Sequence, residues 1–231
     1  TRARAQAIVL AGKVFVAGVR VDKAGTLVAD DAPIEVRGGD HPYVSRGGVK
    51  LAGALDAFAL DVRGLRCLDL GASTGGFTDC LLQRGAASVV AVDVGYGQLA
   101  HKLRVDPRVV VMERTNARHL DADAVGGPCD VTVVDASFIG LGALLPAIAR
   151  CTRGGGDLVA LVKPQFEVGR EHVAEGRGVV RDDALRAEAV ASVVEASASE
   201  GFHVRAQIDS VLAGPKGNRE VFLLARREPR L

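Results

Sequence analysis

The sequence predicts an α/β fold, a parallel sheet covered by helices on both faces, preceded by a small module of different character. Apolar runs of strand length alternate with helical stretches from Cys67 to Ala225. Crossover-connected parallel strands require that alternation, because each strand is buried on both faces. One of these runs, Leu68-Asp69-Leu70, passes directly into a glycine-rich turn and then a helix. Residues 1–37 hold only a short helix and three short strands, too little for a core of their own.

Taken in order, a helix from Ala3 to Ala11 ends at a Gly12-Lys13 turn, and a strand at Val14–Val16 leads through Ala17-Gly18 to strands at Val19–Val21 and Ile34–Val36. Gly38-Gly39-Asp40-His41-Pro42-Tyr43-Val44 marks a linker over 38–44, and the second domain occupies 45–231. That domain opens with a helix in which Val49, Leu51, Leu55 and Phe58 keep helical spacing while Lys50 projects to a different face. Strands are then expected at Cys67–Leu70, Val89–Asp93, Val109–Met112, Val131–Asp135, Leu158–Val162, Val204–Leu212 and Val221–Ala225, with helices at Phe77–Arg84, Leu141–Arg150 and Ala184–Ser199. Ligands of such folds lie beyond the carboxyl ends of the strands.

Composition removes several classes of function. No run reaches the roughly 18 uninterrupted apolar residues of a membrane span, and the best candidate, Val131 to Ala149, contains Asp135 and Pro146. Cys67, Cys80, Cys129 and Cys151 form no CxxC pair and have no histidine at metal spacing. They read as reduced thiols of a cytoplasmic protein without a metal site. The start at Thr1, with neither an initiator Met nor an apolar signal stretch, reads as part of a longer chain. Net charge is only +1, but residues 1–24 gather Arg2, Arg4, Lys13, Arg20 and Lys23 against Asp22 alone. Such a patch suits phosphate contacts, or is simply a solvated surface.

The strongest local signal is Asp69-Leu70-Gly71-Ala72-Ser73-Thr74-Gly75-Gly76-Phe77. Glycines let a backbone approach a ligand closely, and amides at a helix start favour anionic groups. Asp93 ends the next strand 24 residues after Asp69, where a Rossmann-like fold places the acid that grips ribose hydroxyls. The turn lacks the G-x-G-x-x-G spacing of dinucleotide sites and presents Ser73 and Thr74, which suits S-adenosylmethionine better. The expected cofactor residues are Asp69, Gly71 through Phe77, Asp93 with Val94, and Asn116, which either contacts the adenine or only forms a turn.

Asp135 and Lys163 end successive predicted strands, so a parallel sheet brings both to one rim. A lysine leaving an apolar strand ahead of Pro164 needs a partner. At these residues the sequence resembles the FtsJ-like RNA ribose methyltransferases, and more closely the TlyA (haemolysin A) family of ribosomal RNA 2′-O-methyltransferases. The resemblance spans essentially the whole chain. It rests on Val44-Ser45-Arg46-Gly47-Gly48-Val49-Lys50-Leu51, Gly71 to Thr78, Asp93 to Leu99, Glu113 to Arg118, Val162 to Gly169 and Gly217 to Phe222. It implies a class I S-adenosylmethionine-dependent methyltransferase with a catalytic tetrad of Lys50, Asp135, Lys163 and Glu220. The implied substrate is a cytidine 2′-hydroxyl in ribosomal RNA of the small subunit, the large subunit or both. Residues 1–37 are similar to the second half of the S-four RNA-binding domain, whose first helix is absent from the sequence. Arg46 then joins Arg2, Arg4, Lys13 and Arg20 as a candidate RNA contact.

A ribose hydroxyl is a weak nucleophile and a sulfonium methyl is already electrophilic, so the protein must position the hydroxyl and assist loss of its proton, without a metal. Lys163 serves as hydrogen-bond donor to the developing alkoxide or as base, Lys50 adds positive field, and the two acids orient the lysines. The sequence leaves open which lysine handles the proton. Phe166 to Arg181, with Gly169, Gly176 and Gly178, reads as a mobile substrate loop or an ordinary surface loop. The competing readings are a non-catalytic RNA-binding protein, a small-molecule methyltransferase and a membrane-active haemolysin. The complete tetrad disfavours the first, the RNA-binding front end the second, and the lack of a span or a large basic amphipathic helix the third.

Overall fold

Strands apolar on both faces belong in the middle of a covered sheet. In the computed structural model, which describes residues 2–10, 12–36, 41–168, 178–214 and 216–229, they sit there. The chain divides into two compact units, Thr1–Pro42 and Tyr43–Leu231. In the first, α1 (Arg2–Leu10) precedes an antiparallel sheet in which β1 (Val14–Val16) lies between β2 (Val19–Val21) and β3 (Ile34–Val36). Residue 37 and the first three residues of the expected linker, 38–40, lie outside the described residues. Tyr43 and Val44, also read as linker, belong to the second unit: the Val44 amide donates to Asp79 Oδ2 at 2.8 Å, and Lys102 Nζ lies 2.9 Å from the same oxygen.

The second unit begins with α2 (Arg46–Ala57) and continues through β4 (Arg66–Leu70), α3 (Gly76–Gln83), β5 (Ser88–Val92), α4 (His101–Arg104), β6 (Val109–Met112), β7 (Cys129–Val134), α5 (Leu145–Cys151), β8 (Thr152–Val162), α6 (Pro164–Glu167), α7 (Asp183–Ser199), β9 (Phe202–Asp209) and β10 (Val221–Arg227). Its seven strands lie in the order β6-β5-β4-β7-β8-β10-β9. Alternate residues of the strands feed two cores, one on each face. Leu68, Leu70, Val134, Leu158 and Ala160 pack with Leu145 and Ile148 of α5 and Val190 and Val193 of α7. Cys67, Val131, Val133, Val159 and Leu161 pack with Leu51 and Leu55 of α2 and with Phe77 and Leu81 of α3.

Caps fix where the helices start. Asp182 accepts from the Ala184 amide at 2.7 Å and opens α7, and Pro146 lies in the first turn of α5, where its missing N–H costs nothing.

The sheet departs from the sequence expectation in one respect. β4, β5, β6, β7 and β8 pair in parallel, but β10 runs antiparallel to both β8 and β9, with Val221 opposite Val162. The carboxyl end of β8 and the amino end of β10 therefore share a rim. β9, at the edge, opens on the buried Phe202 and then alternates exposed with half-buried residues, as a strand wet on one face does.

Candidate active site

Three adjacent parallel strands end in carboxylates: Asp69 within β4, Asp93 just after β5 and Asp135 just after β7. Asp93 is held in place by two backbone amides, Ser73 N to Oδ2 at 2.8 Å and Gly95 N to Oδ1 at 2.6 Å. Asp69 is fully buried; its Oδ2 accepts from Thr78 Oγ1 at 2.7 Å, while Oδ1 has no hydrogen-bond partner in the protein. A rim lined with acids, one presenting an orphaned oxygen, has the chemistry of a site for a cationic ligand.

Burial drives the Asp69 carboxyl up from 3.8 to about 7, against the lowering effect of the Thr78 bond. Because the folded value is the higher one, the native state keeps a proton that the unfolded chain has already released between these two pH values. This contribution to stability is present in full below the unfolded value, falls as pH rises through that window, and levels off above about 7. Asp69→Asn is expected to flatten this slope. Melting curves from pH 4 to 8 whose pH dependence is the same for both proteins would contradict it.

The glycines of the turn face protein more than ligand. Gly71 has φ +85°, and a Cβ there would stand 2.7 Å from the Asp135 carbonyl oxygen, so this glycine lets the loop carrying Asp135 close over β4. At Gly76 a Cβ would come within 2.9 Å of the Gly48 nitrogen, so that glycine allows α3 to touch α2. Phe77, expected among the cofactor residues, is a core side chain with its ring 6.0 Å from that of Phe222. Ala72 is buried, whereas Ser73, Thr74 and Val94 are not. Asn116 accepts from the Arg118 amide at 3.1 Å and opens a short 3-10 turn.

Lys50, expected on a face apart from the apolar residues of its helix, is buried, at 8 % exposed. Its Nζ lies 2.5 Å from Oε2 of Glu220, which is 2 % exposed. Without such a partner the ammonium would not survive burial. Lys163 Nζ stands 2.6 Å from Asp135 Oδ1 and donates to Ser137 Oγ at 2.8 Å. The Val221–Val162 pairing places the two ion pairs at the ends of neighbouring strands.

Sequence reasoning did not single out Ser137, although it stands two residues after Asp135. It also passed over Phe138, which is 92 % exposed on a left-handed backbone (φ 66°) with its ring 5.4 Å from that of Phe166. Among the proposed RNA contacts, Arg46 donates to the Ala213 carbonyl at 3.3 Å. Arg2 and Lys13 are exposed, and the exposed Arg20 guanidinium lies against Gly12. The Arg4 side chain, and residues 169–177 of the expected substrate loop, lie outside the described residues.

Residues 43–227 match the model of the FtsJ-like methyltransferases. The chain belongs to this family. It is 52 % identical over 229 residues to the 16S/23S rRNA (cytidine-2′-O)-methyltransferase TlyA of Mycobacterium tuberculosis, covering 99 % of this chain and 85 % of that protein. It is 42 % identical over 221 residues to the Hemolysin A of Brachyspira hyodysenteriae, covering 95 % and 91 %. A structure described as a hemolysin from Streptococcus thermophilus superposes with a TM-score of 0.82 at 42 % identity, covering 99 % of this chain and 84 % of that one. As an FtsJ-like methyltransferase the chain has the class I fold, and its two lysine–acid pairs sit at the rim where that fold binds its ligands.

Proposed function

We propose that this chain transfers a methyl group from S-adenosylmethionine to the 2′-hydroxyl of cytidine ribose in 16S rRNA, 23S rRNA or both. The observation that carries this reading is the polar environment of Lys163 Nζ. Its ammonium donates to Ser137 Oγ at 2.8 Å and lies 2.6 Å from the Asp135 carboxylate at the strand-end rim. Lys163 donates a hydrogen bond to the hydroxyl oxygen as it gains charge, or takes its proton as base, and Asp135 is the ion-pair partner of its ammonium. Lys50, fixed by Glu220, adds positive field beside the oxygen as it gains charge.

S-adenosylmethionine fits the acidic rim, where Asp93, fixed by the Ser73 and Gly95 amides, would accept from its ribose hydroxyls. When bound, it supplies a methyl already activated as a sulfonium. Phe138 offers a flat apolar face to a base turned out of its stack. The N-terminal unit reads as an S-four-type RNA-binding module, with Arg2, Arg4, Lys13 and Arg20 available to phosphates. A ribosomal substrate places the work in the cytoplasm. Among the described residues no helix is long and apolar enough to cross a membrane, and no cluster suits a metal ion.

The test is to incubate purified ribosomal subunits with the protein and labelled S-adenosylmethionine, then map ribose methylation. Label on a cytidine 2′-oxygen supports the reading; label on bases alone, or none on either subunit, refutes it. Asp93→Ala is expected to weaken S-adenosylmethionine binding by about tenfold or more, since two charge-assisted hydrogen bonds are lost. Unchanged affinity by calorimetry would remove Asp93 from the site.

A further inference from the structure

Glu220 follows a turn that does more than reverse the chain. Asn218 is 2 % exposed, and each end of its amide has a backbone partner in another segment: Oδ1 accepts from the Val180 amide at 2.9 Å, and Nδ2 donates to the Gly178 carbonyl at 2.8 Å. Its own carbonyl accepts from the Gly214 amide at 2.9 Å and closes the turn. That closure brings Gly214 against the catalytic acid, since a Cβ on Gly214 would stand 2.6 Å from Glu220 Oε1. The other oxygen of Glu220 holds Lys50. The chain around Gly178 also packs on the turn, because a Cβ there would lie 3.2 Å from Lys216 Nζ. From the other side, α2 meets the same turn through the Arg46 bond to Ala213 and through Gly53, whose absent Cβ leaves room for Val211.

We infer that Asn218 is a positioning residue, which clamps the Gly178–Val180 segment to the turn 214–218 and thereby fixes the Glu220 carboxylate on Lys50. A buried amide that satisfies one donor and one acceptor of the same segment sets that segment's register. An apolar residue of similar size would leave the Val180 N–H and the Gly178 C=O unpaired. The inference rests on the reading of Lys50 and Glu220 as part of the methyl-transfer machinery.

The experiment measures kcat, the KM for S-adenosylmethionine and the melting temperature of the full chain acting on ribosomal subunits, for Asn218→Ala, Asn218→Asp, Gly214→Ala and the double variant Asn218→Ala/Gly214→Ala, with Glu220→Gln as reference. Asn218→Ala is expected to lower kcat by about tenfold or more, as small misplacements of a reacting group do, with the cofactor KM within twofold of wild type. Asn218→Asp, which keeps the acceptor for Val180 but loses the donor to Gly178, falls between the two. Gly214→Ala, which pushes on the carboxylate directly, gives a similar loss, and the double variant loses no more than the worse single one. Should Asn218→Ala fail to fold, Asn218→Asp and Gly214→Ala still decide the matter. A kcat within twofold of wild type in folded Asn218 variants, or losses that multiply in the double variant, overturns the inference while leaving the proposed function standing. A fully active Glu220→Gln removes Glu220 from the methyl-transfer machinery and overturns the inference, whereas a wild-type chain that leaves both subunits unmethylated overturns the proposed function.

Discussion

Replacing Lys163 by alanine should lower methyl transfer by about 10²-fold or more while leaving S-adenosylmethionine binding nearly intact, the scale for losing a general base or an oxyanion donor. The reason is geometric. Lys163 is tied to Asp135 and Ser137 at the strand-end rim, and neither contact belongs to the Ser73–Asp93–Gly95 arrangement proposed to hold the cofactor. Arginine should not restore the rate: a guanidinium does not release its proton near neutral pH, and its planar fork does not reproduce a compact ammonium between Asp135 and Ser137. Single-turnover assays beside calorimetric titration separate the two quantities. A folded Lys163→Ala protein that methylates at the wild-type rate would move proton handling to Lys50, and an active Lys163→Arg protein would make hydrogen-bond donation the role of this position.

Glu220→Ala is expected to cost both activity and stability. It leaves the Lys50 ammonium buried in the core with its carboxylate partner removed, and breaking such a pair from one side costs about 3–5 kcal/mol. Chemical denaturation should show this as a lower midpoint with an unchanged slope, and methyl transfer should fall together with it. Glu220→Ala/Lys50→Met, which removes both charges, should recover much of the lost stability and none of the activity. If Glu220→Ala alone unfolds at the wild-type midpoint, the pair is not holding Lys50 in the core.

Much of this was legible in the sequence. The strands from Cys67 to Val162 are continuous apolar runs because both of their faces are covered, and such runs declare themselves without tertiary information. Asp93 and Asp135 end theirs and were readable as rim residues for the same reason. The glycines were harder. Gly71 and Gly76 were noticed because glycine is conspicuous at a strand-to-helix turn, but their neighbours, the Asp135 backbone and helix α2, come from distant parts of the chain. The burial of Lys50 was hidden for a related reason: helical spacing tells which residues share a face, but not that a second packed surface waits for the lysine.

The sequence by itself determined the α/β class, the order of the strands along the chain and the acids at the rim, and a resemblance spanning the chain singled out four candidate catalytic residues. Only the tertiary structure decided that these four form two pairs, and the direction of β10 is the reason. Glu220 precedes its strand, so in a wholly parallel sheet it would lie at the opposite rim from Lys163, about 20 Å away for a strand of this length. Running β10 antiparallel to β8 turns that end round, sets Val221 beside Val162 and delivers the carboxylate to Lys50. Strand direction depends on which neighbours a strand finds and on how the preceding chain returns to the sheet, and an apolar run of five residues looks the same read either way.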